Sequence, residues 1–221
     1  MKCYYVYLIR HGMTEANIKG QYAGALDIPV CPEGREKLEN LKKNYEYPDA
    51  QEFYSSPLIR CRQTAEILYP DKNIIINEKL KEQNFGDWEG KTTQELSDDE
   101  NFKKWIANSC ENKTPNGESL QEFRDRLFSG FEEIINSVIT RGITKICIFT
   151  HGGVIMNLMS MYSMSSKNIF DWMAENGCGY KLKITPSFWM RDKKLEVIDK
   201  IPIGSDLNIS GNFKDLIENL K

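Results

Sequence analysis

Two apolar segments, far apart along the chain, both end in a histidine that is followed by glycine. The first, YYVYLIRHG, begins at Tyr4, and the second, KICIFTHGG, begins at Lys145. Both are rich in β-branched and aromatic residues, a composition typical of buried strands. Between them, residues 118–140 carry a large apolar side chain every three or four positions, which predicts a helix. Strands that alternate with helices predict an α/β fold, a three-layer sandwich with a mostly parallel central sheet and helices on both faces.

Shorter segments complete the predicted sheet and its helices. Further strands are predicted at residues 52–57, 73–80, 177–185 and 188–200, the last two as an antiparallel pair at the sheet edge, and further helices at residues 32–47, 59–69 and 153–162. Residues 91–117 are polar but contain Phe102 and Trp105, so we expect an inserted helical cap within a single domain that spans residues 1–221. The apolar spacing of residues 210–221 favours a docked helix.

The charge and the cysteine pattern exclude several classes of function. A net charge of −3 and a pI near 5.6 leave no broad basic face, which argues against binding to nucleic acid or to an anionic membrane. No apolar run approaches the ~20 residues that a membrane-spanning helix needs. The six cysteines form no CxxC pair and no signal-peptide pattern is seen, so we expect free thiols in a reducing cytoplasm and no zinc knuckle.

The chain has two histidines, and both are predicted to follow the carboxyl end of a strand. In open α/β sheets ligands bind beyond these strand ends, so we expect His11 and His151 to meet at one edge of the sheet. Gly152 and Gly153 precede the next helix, whose free N–H groups favour an anion. Arg10 and Arg60 carry planar guanidinium groups, which match the geometry of a phosphate group. The pattern therefore predicts a local phosphate site on a chain that is acidic overall.

Five segments together resemble the histidine phosphatase superfamily, in the branch that contains cofactor-dependent phosphoglycerate mutases and related phosphatases. They are LIRHGMTEAN, SSPLIRCRQTAEIL, LKEQNFGDWEG, PNGESLQEFRDRL and IFTHGGVI, and they extend over roughly residues 4–186 in the family's order. The resemblance implies that His11 is the nucleophile and that Glu82 protonates the leaving oxygen and then activates water. The phosphoryl group would be held by a set of polar side chains: Arg10, Arg60 and His151, with Thr14 and Asn17 lining the same pocket.

The implied reaction requires particular protonation states. Phosphate monoesters hydrolyse extremely slowly without a catalyst, and a covalent intermediate divides the reaction into two steps. Glu82 can protonate the leaving group only if its pKa is raised. His11 must be neutral to attack, we expect His151 to be a cation beside the phosphate, and Gly12 is expected to let the chain turn beneath it. Two histidines without a carboxylate cluster make a poor metal site, so no metal ion or other cofactor is expected.

The substrate is less constrained than the reaction. The EQNFGDWEG segment, the PNGES turn and the NGCGYKLKIT stretch look most like the α-ribazole phosphatases of cobalamin biosynthesis, and they also resemble broad-specificity sugar and nucleotide phosphatases. We therefore expect a phosphomonoesterase that acts on a small phosphorylated metabolite, with α-ribazole 5′-phosphate as one candidate. A phosphoglycerate mutase is the alternative, a non-catalytic protein that binds phospho-ligands is a further one, and a homodimer is left open.

One position departs from the family pattern. The family usually has a Leu-Thr pair where this chain has Val30 and Cys31, and the threonine would cap the helix that follows. Cysteine caps poorly, so we expect a small loss of stability at this helix and no effect on catalysis.

Overall fold

A computed structural model describes residues 2–108 and 110–205. The strands are β1 (Tyr4–Arg10), β2 (Glu52–Ser55), β3 (Ile74–Ile76), β4 (Lys145–Thr150), β5 (Gly179–Ile184) and β6 (Glu196–Ile201). The helices are α1 (Glu15–Lys19), α2 (Pro32–Asn44), α3 (Ile59–Leu68), α4 (Glu100–Ala107), α5 (Leu120–Arg141), α6 (Gly152–Tyr162) and α7 (Pro186–Asp192). Within the described residues, no helix combines the length and the apolar character needed to span a bilayer.

The six strands form one sheet in the order β3–β2–β4–β1–β5–β6. The strands β3, β2, β4 and β1 run parallel to one another, whereas β5 is antiparallel to both of its neighbours, β1 and β6. The predictions of a mostly parallel sheet and of an antiparallel pair at its edge are therefore confirmed. The central position of β1 gives it a hydrogen-bonded partner on each side.

Helices cover both faces of this sheet. Successive side chains of a strand point to opposite faces, and on β1 Val6 and Leu8 join one core whereas Tyr7 and Ile9 join the other. The first core contains side chains from α5, α6 and α7, and the second contains side chains from α2 and α3. Because both faces of β1 are buried, its sequence is a continuous apolar run and does not alternate. The predicted three-layer arrangement is confirmed.

The segment predicted as one strand over residues 188–200 is divided between a helix and a strand. Its first half belongs to α7, which Pro186 opens at a position where its missing N–H is harmless. Trp189 is the buried residue of this helix. The strand prediction is wrong here because a proline-initiated turn around one large apolar side chain outweighs the local alternation. The strand β3 is also shorter than predicted, since Asn77 caps a 3₁₀ turn directly after it.

The polar stretch 91–117 contains α4 and packs through aromatic side chains. The aromatic cluster consists of buried residues with two partly buried rings against them: Trp88, Leu96, Phe102 and Trp105, with Tyr22 and Phe85. The rings of Trp88 and Phe102 lie edge to face, with 5.3 Å between their centroids. The assignment of this stretch as a cap inside one domain stays a prediction, and the helix predicted at residues 210–221 lies outside the described residues.

Cys31 caps α2 with its thiol group. Its Sγ accepts a hydrogen bond from the N–H of Gly34 and donates one to the carbonyl oxygen of Met13, each at 3.3 Å. A thiol is a weaker donor and acceptor than a hydroxyl group. The residue is only 3% exposed, so no water replaces these weak bonds. All six cysteines have free thiols, as the sequence predicts.

We expect Cys31→Ser to stabilise the protein by about 0.5–1 kcal/mol, because serine is among the preferred residues at this position of a helix. The matched control is Cys147→Ser, which places a hydroxyl group in the fully buried apolar core of β4. The free energy of unfolding of the control should fall by about 1–3 kcal/mol, because the buried hydroxyl group loses its hydrogen bonds to water without gaining a well-placed partner. Denaturant unfolding measures both changes, and equal losses in the two variants would contradict the capping role of residue 31.

Candidate active site

The pairing of β1 with β4 brings the two histidines together. In the parallel register Arg10 lies opposite Thr150, so that His11 and His151 leave the sheet side by side as the next residues. The centroids of their rings are 5.2 Å apart, and the ring planes are inclined at 61°. Both side chains are buried, His11 with 5% of its surface exposed and His151 with none. They meet at one edge of the sheet, as the strand pattern predicts.

The ring of His11 is held in one tautomer. Its Nδ1 lies 2.7 Å from the carbonyl oxygen of Gly12. Because a carbonyl oxygen can only accept, Nδ1 carries the proton and Nε2 keeps its lone pair. Burial, and then the charges of Arg60 and Arg10, hold the pKa of His11 well below its usual value of 6.5. At neutral pH His11 is therefore an uncharged imidazole with an available Nε2.

His151 is also neutral, with the opposite tautomer. Its Nδ1 accepts a hydrogen bond from Nε of Arg60 at 3.3 Å, and its Nε2 lies 2.8 Å from Oγ of Ser56. A nitrogen that accepts from a guanidinium group carries no proton, so the proton is on Nε2. Burial, followed by the charge of Arg60, keeps the pKa of His151 well below 6.5. In the phosphate-free protein desolvation and neighbouring positive charge both disfavour the cation, and the cationic His151 expected beside a phosphate stays a prediction.

Arg60 is buried although it is charged. It lies on α3 with 1% of its surface exposed. Its Nη1 donates to the carbonyl oxygen of Leu26 at 2.6 Å, and its Nη2 donates to those of Gly24 at 2.8 Å and Ala23 at 3.3 Å. With the bond to His151, these contacts supply the polar partners that a buried guanidinium group requires.

Arg10 reaches the same site from the last position of β1. One of its terminal nitrogens donates to the carbonyl oxygen of Ala174 at 2.7 Å. Its Nε is buried and has no hydrogen-bond partner among the described residues. A Cβ on Gly152, at the start of α6, would lie 3.4 Å from this Nε. A buried N–H group without a partner is costly, so this donor is suited to an incoming anion at the helix N-terminus.

Glu82 adds a carboxyl group to the two histidines and two arginines. Its carboxylate accepts backbone hydrogen bonds from Gln83 at 3.0 Å and from Gly153 at 2.8 Å. Burial raises its pKa above the usual 4.5, although these hydrogen bonds and the charges of Arg60 and Arg10 act in the opposite direction. Glu82 therefore keeps its proton to a higher pH than an exposed glutamate does.

At two glycines of the site a side chain would come too close to a neighbouring side chain, which would have to move. A Cβ on Gly153 would lie 2.5 Å from Oε1 of Glu82, so another residue there would displace the carboxylate. A Cβ on Gly12 would lie 2.6 Å from Cδ1 of Leu38 on α2. The backbone of Gly12 is not in the left-handed region, and the expectation that it lets the chain turn beneath a phosphate stays a prediction.

Thr14 and Asn17 form a capping box at the start of α1. Oγ1 of Thr14 accepts from the backbone N–H of Asn17 at 3.3 Å, and the backbone N–H of Thr14 donates to Oδ1 of Asn17 at 3.1 Å. Asn176 donates to the same Oδ1 at 3.3 Å and to the carbonyl oxygen of His11 at 3.0 Å. The pair is thus tied to the backbone of His11, and its part in a phosphate pocket stays a prediction.

The sequence patterns predict no contact for Ser56, Gly153 or Asn176, although Gly153 is expected, with Gly152, to precede a helix that favours an anion. The first lies inside the SSPLIR segment and the second follows Gly152, so their positions carry a weak signal. Their contacts are with residues from distant segments, which no local pattern reveals. Asn176 opens the NGCGYKLKIT stretch, which points to a substrate class and not to a contact with His11 or Asn17.

A separate group of side chains has atoms close enough to bind a metal ion. Among the described residues it consists of Glu15, Cys31 and Glu33, whose ligand atoms lie within 4.8 Å of one another. Cys31 is already engaged as the cap of α2, and none of the three is a predicted site residue.

Comparisons with known proteins agree with this geometry. The family model described as "Histidine phosphatase superfamily (branch 1)" matches residues 6–193. The putative phosphoserine phosphatase 2 of Hydrogenobacter thermophilus is 29% identical over 154 residues, 68% of this chain and 74% of that protein. The adenosylcobalamin/alpha-ribazole phosphatase of Escherichia coli K12 is 29% identical over 195 residues, 83% of this chain and 91% of that protein. The crystal structure of a putative alpha-ribazole-5′-P phosphatase from Escherichia coli has a TM-score of 0.74 at 26% identity, covering 88% of this chain and 94% of that one.

The two histidine rings can be followed separately by NMR. In the phosphate-free protein we expect both rings to stay neutral as the pH falls through 6.5, with the proton on Nδ1 of His11 and on Nε2 of His151. The unfolded chain takes up these protons near pH 6.5, so the histidine contribution to stability is full above that pH and is lost as the pH falls through the depressed pKa values. Proton–nitrogen correlation spectra measure both tautomers, and a ring that titrates near pH 6.5 would contradict the burial argument.

Proposed function

The chain belongs to the histidine phosphatase superfamily (branch 1), and we propose that it is a metal-independent phosphomonoesterase that transfers a phosphoryl group to His11 and then to water. The observation that carries the proposal is the neutral ring of His11, whose Nδ1 is bound to Gly12 and whose Nε2, beside two guanidinium groups, accepts no hydrogen bond from any described residue. Positive charge attracts a phosphate ester, and an uncharged imidazole is the form that attacks it.

In the first step Nε2 of His11 attacks the phosphorus atom in line with the leaving oxygen. The N–P bond forms while the P–O bond to the leaving group breaks, and Glu82 transfers its proton to the leaving oxygen. The raised pKa of Glu82 supports this role. In the second step a water molecule attacks the phosphorus atom and gives its proton to the Glu82 carboxylate. The N–P bond then breaks, and inorganic phosphate leaves a neutral His11.

Donors around His11 stabilise the three equatorial oxygens of the transferring group. The buried Nε of Arg10 has no partner among the described residues, and it lies beside Gly152 at the N-terminus of α6. We assign the remaining contacts to Arg60, His151, Thr14 and Asn17. The amide nitrogen of Asn17 supports its assignment, because within the described part of the chain only the oxygen of that side chain is engaged.

His151 requires a second proton to take part in phosphate binding. With the Nε2–H directed to Ser56, only a protonated Nδ1 can donate to a phosphoryl oxygen. The negative charge of the phosphate raises the pKa of His151 and favours this proton uptake. The Nε–H of Arg60, which donates to Nδ1 in the phosphate-free protein, loses that acceptor and becomes available to a phosphoryl oxygen as well.

The proposed substrate is a small phosphorylated metabolite, with α-ribazole 5′-phosphate as the first candidate. A relative named as an adenosylcobalamin/alpha-ribazole phosphatase aligns over 83% of the chain, which supports this choice. Because another relative is named as a putative phosphoserine phosphatase, other small phosphate esters are also candidate substrates. The free thiols support an enzyme of the reducing cytoplasm.

Purified protein in the presence of a metal chelator should release phosphate from phosphomonoesters, and His11→Ala should abolish the release. The panel consists of α-ribazole 5′-phosphate, O-phosphoserine, 3-phosphoglycerate and an aryl phosphate. Rapid quenching should trap acid-labile, base-stable phosphate on the wild type and none on the variant. Conversion of 3-phosphoglycerate to 2-phosphoglycerate with a bisphosphate primer, and no release from any ester, would identify a mutase instead. The absence of both phosphate release and mutase activity would favour a non-catalytic protein that binds phospho-ligands.

The position of Glu82 should determine how the rate depends on the leaving group. Gly153→Ala displaces the carboxylate, and Glu82→Gln removes its proton, so both variants should hydrolyse alkyl phosphates about 10²-fold more slowly. The leaving groups of aryl phosphates need little protonation, so the rate of the first step with these esters should fall much less. Rapid-quench rates with the two ester types measure this difference, and equal losses for both esters would argue against proton donation by Glu82.

A further inference from the structure

The backbone of residues 23–26 lies between two charged side chains. On one side, the carboxylate of Glu89 accepts hydrogen bonds from three successive N–H groups. The N–H of Gly24 lies 2.9 Å and 3.1 Å from the two oxygens, that of Ala25 lies 2.8 Å from Oε1, and that of Leu26 lies 3.3 Å from Oε2. Successive backbone N–H groups that converge in this way form a concave site for an anion, and here the anion is a side chain of the same protein.

On the other side, the carbonyl oxygens of the same segment face the guanidinium group of Arg60. Those of Ala23, Gly24 and Leu26 accept its Nη hydrogen bonds. The peptide units between Ala23 and Gly24 and between Gly24 and Ala25 are dipoles with the N–H end toward the anion and the carbonyl end toward the cation. This orientation is favourable at both ends, so the segment transmits the position of the Glu89 carboxylate to the Arg60 guanidinium.

The two ends of the segment are held by other contacts. Tyr22 exchanges backbone hydrogen bonds with Gly90 at 2.8 Å and with Lys91 at 2.9 Å. After the segment, Asp27 accepts from the N–H of Ile59 at the start of α3. Within the described part of the chain, the hydrogen bonds of the backbone groups of residues 23–26 all go to Glu89 or to Arg60. The course of this segment past Arg60 therefore depends on Glu89.

Glu89 is itself held firmly. It directly follows a 3₁₀ turn over Gly86–Trp88, and its own backbone N–H donates to the carbonyl oxygen of Gly86. Its Oε1 also accepts from the N–H of Phe85 at 2.9 Å. Trp88 and Phe85 belong to the aromatic cluster, so the carboxylate is anchored to the packed side chains of α4.

We infer that Glu89 is a positioning residue, which holds the segment 23–26 in place and thereby orients Arg60 toward a phosphoryl group without touching the substrate. The inference rests on the proposed function, because it assigns Arg60 to phosphate binding. It gives the aromatic cluster a part in catalysis: the cluster fixes Glu89, Glu89 fixes the segment, and the segment fixes the guanidinium group.

The test compares Glu89→Gln with Glu95→Gln. The amide of Glu89→Gln keeps one acceptor but turns an NH₂ group toward backbone donors, so the segment should loosen. Glu95 is an exposed carboxylate in the same part of the chain, where it accepts from the N–H of Thr92 at 2.7 Å, and none of its hydrogen bonds among the described residues goes to the segment. Inorganic phosphate is the binding probe, and hydrogen exchange at residues 24–26 reports the segment directly.

We expect Glu89→Gln to bind inorganic phosphate about tenfold more weakly, because charge-assisted hydrogen bonds to the segment are lost. The same variant should raise KM for an aryl phosphate and speed up exchange at residues 24–26, whereas Glu95→Gln should behave as the wild type. Glu89→Asp keeps the charge and should recover part of the affinity. It also serves as the second variant if Glu89→Gln fails to fold.

Three results would overturn the inference, and each identifies a different step of the argument as wrong. Wild-type protein that neither hydrolyses esters nor binds phosphate would remove the proposed function and this inference with it. An active wild type with Glu89→Gln equal to Glu95→Gln in phosphate affinity would reject the inference alone. Weaker phosphate binding with unchanged exchange at residues 24–26 would show that Glu89 acts by another route.

Discussion

The pairing of β1 with β4 is the contact on which the site depends. These two strands are adjacent and parallel, so their carboxyl ends open on the same edge of the sheet. Each is followed at once by a histidine, and the pairing sets the two rings 5.2 Å apart. No contact between the side chains themselves could achieve this, since both rings prefer to be uncharged and neither donates to the other. The backbone ladder brings them together, and the apolar cores on both faces of β1 hold the ladder in place.

Burial at this edge acts on acids and bases in opposite directions. It lowers the pKa of His11 and His151 and raises that of Glu82, because in each case it disfavours the charged form. Arg10 and Arg60 add positive charge, which reinforces the effect on the histidines and moderates it on the glutamate. The same low-dielectric setting therefore favours the uncharged form of His11 and shifts Glu82 toward its protonated form, the combination that the proposed phosphoryl transfer requires.

The sequence predicts those features that follow from local periodicity, and it misses those that follow from contacts between distant segments. Local periodicity and composition are enough to predict the buried strands, the long helix α5 and the position of both histidines at strand ends. The helix α7 is missed because one buried tryptophan decides its conformation. Gly12 and Gly153 are visible as glycines, but the atoms that exclude a side chain there belong to Leu38 and Glu82. The neutral state of His151 likewise depends on Arg60 and on burial.

The hydrogen bonds of Arg60 determine how many of its N–H donors are left for a phosphate group. Of the five N–H donors of a guanidinium group, the Nε–H is used by His151, one Nη1–H by Leu26, and both Nη2–H groups by Gly24 and Ala23. One Nη1–H is left, together with the Nε–H that protonation of His151 would release. Proton uptake by His151 therefore supplies two donors at once: its own Nδ1–H and the Nε–H of Arg60. The contacts of residues 23–26 can stay intact through this exchange, so the guanidinium group keeps its orientation and offers its two remaining donors to the phosphoryl oxygens of the proposed complex.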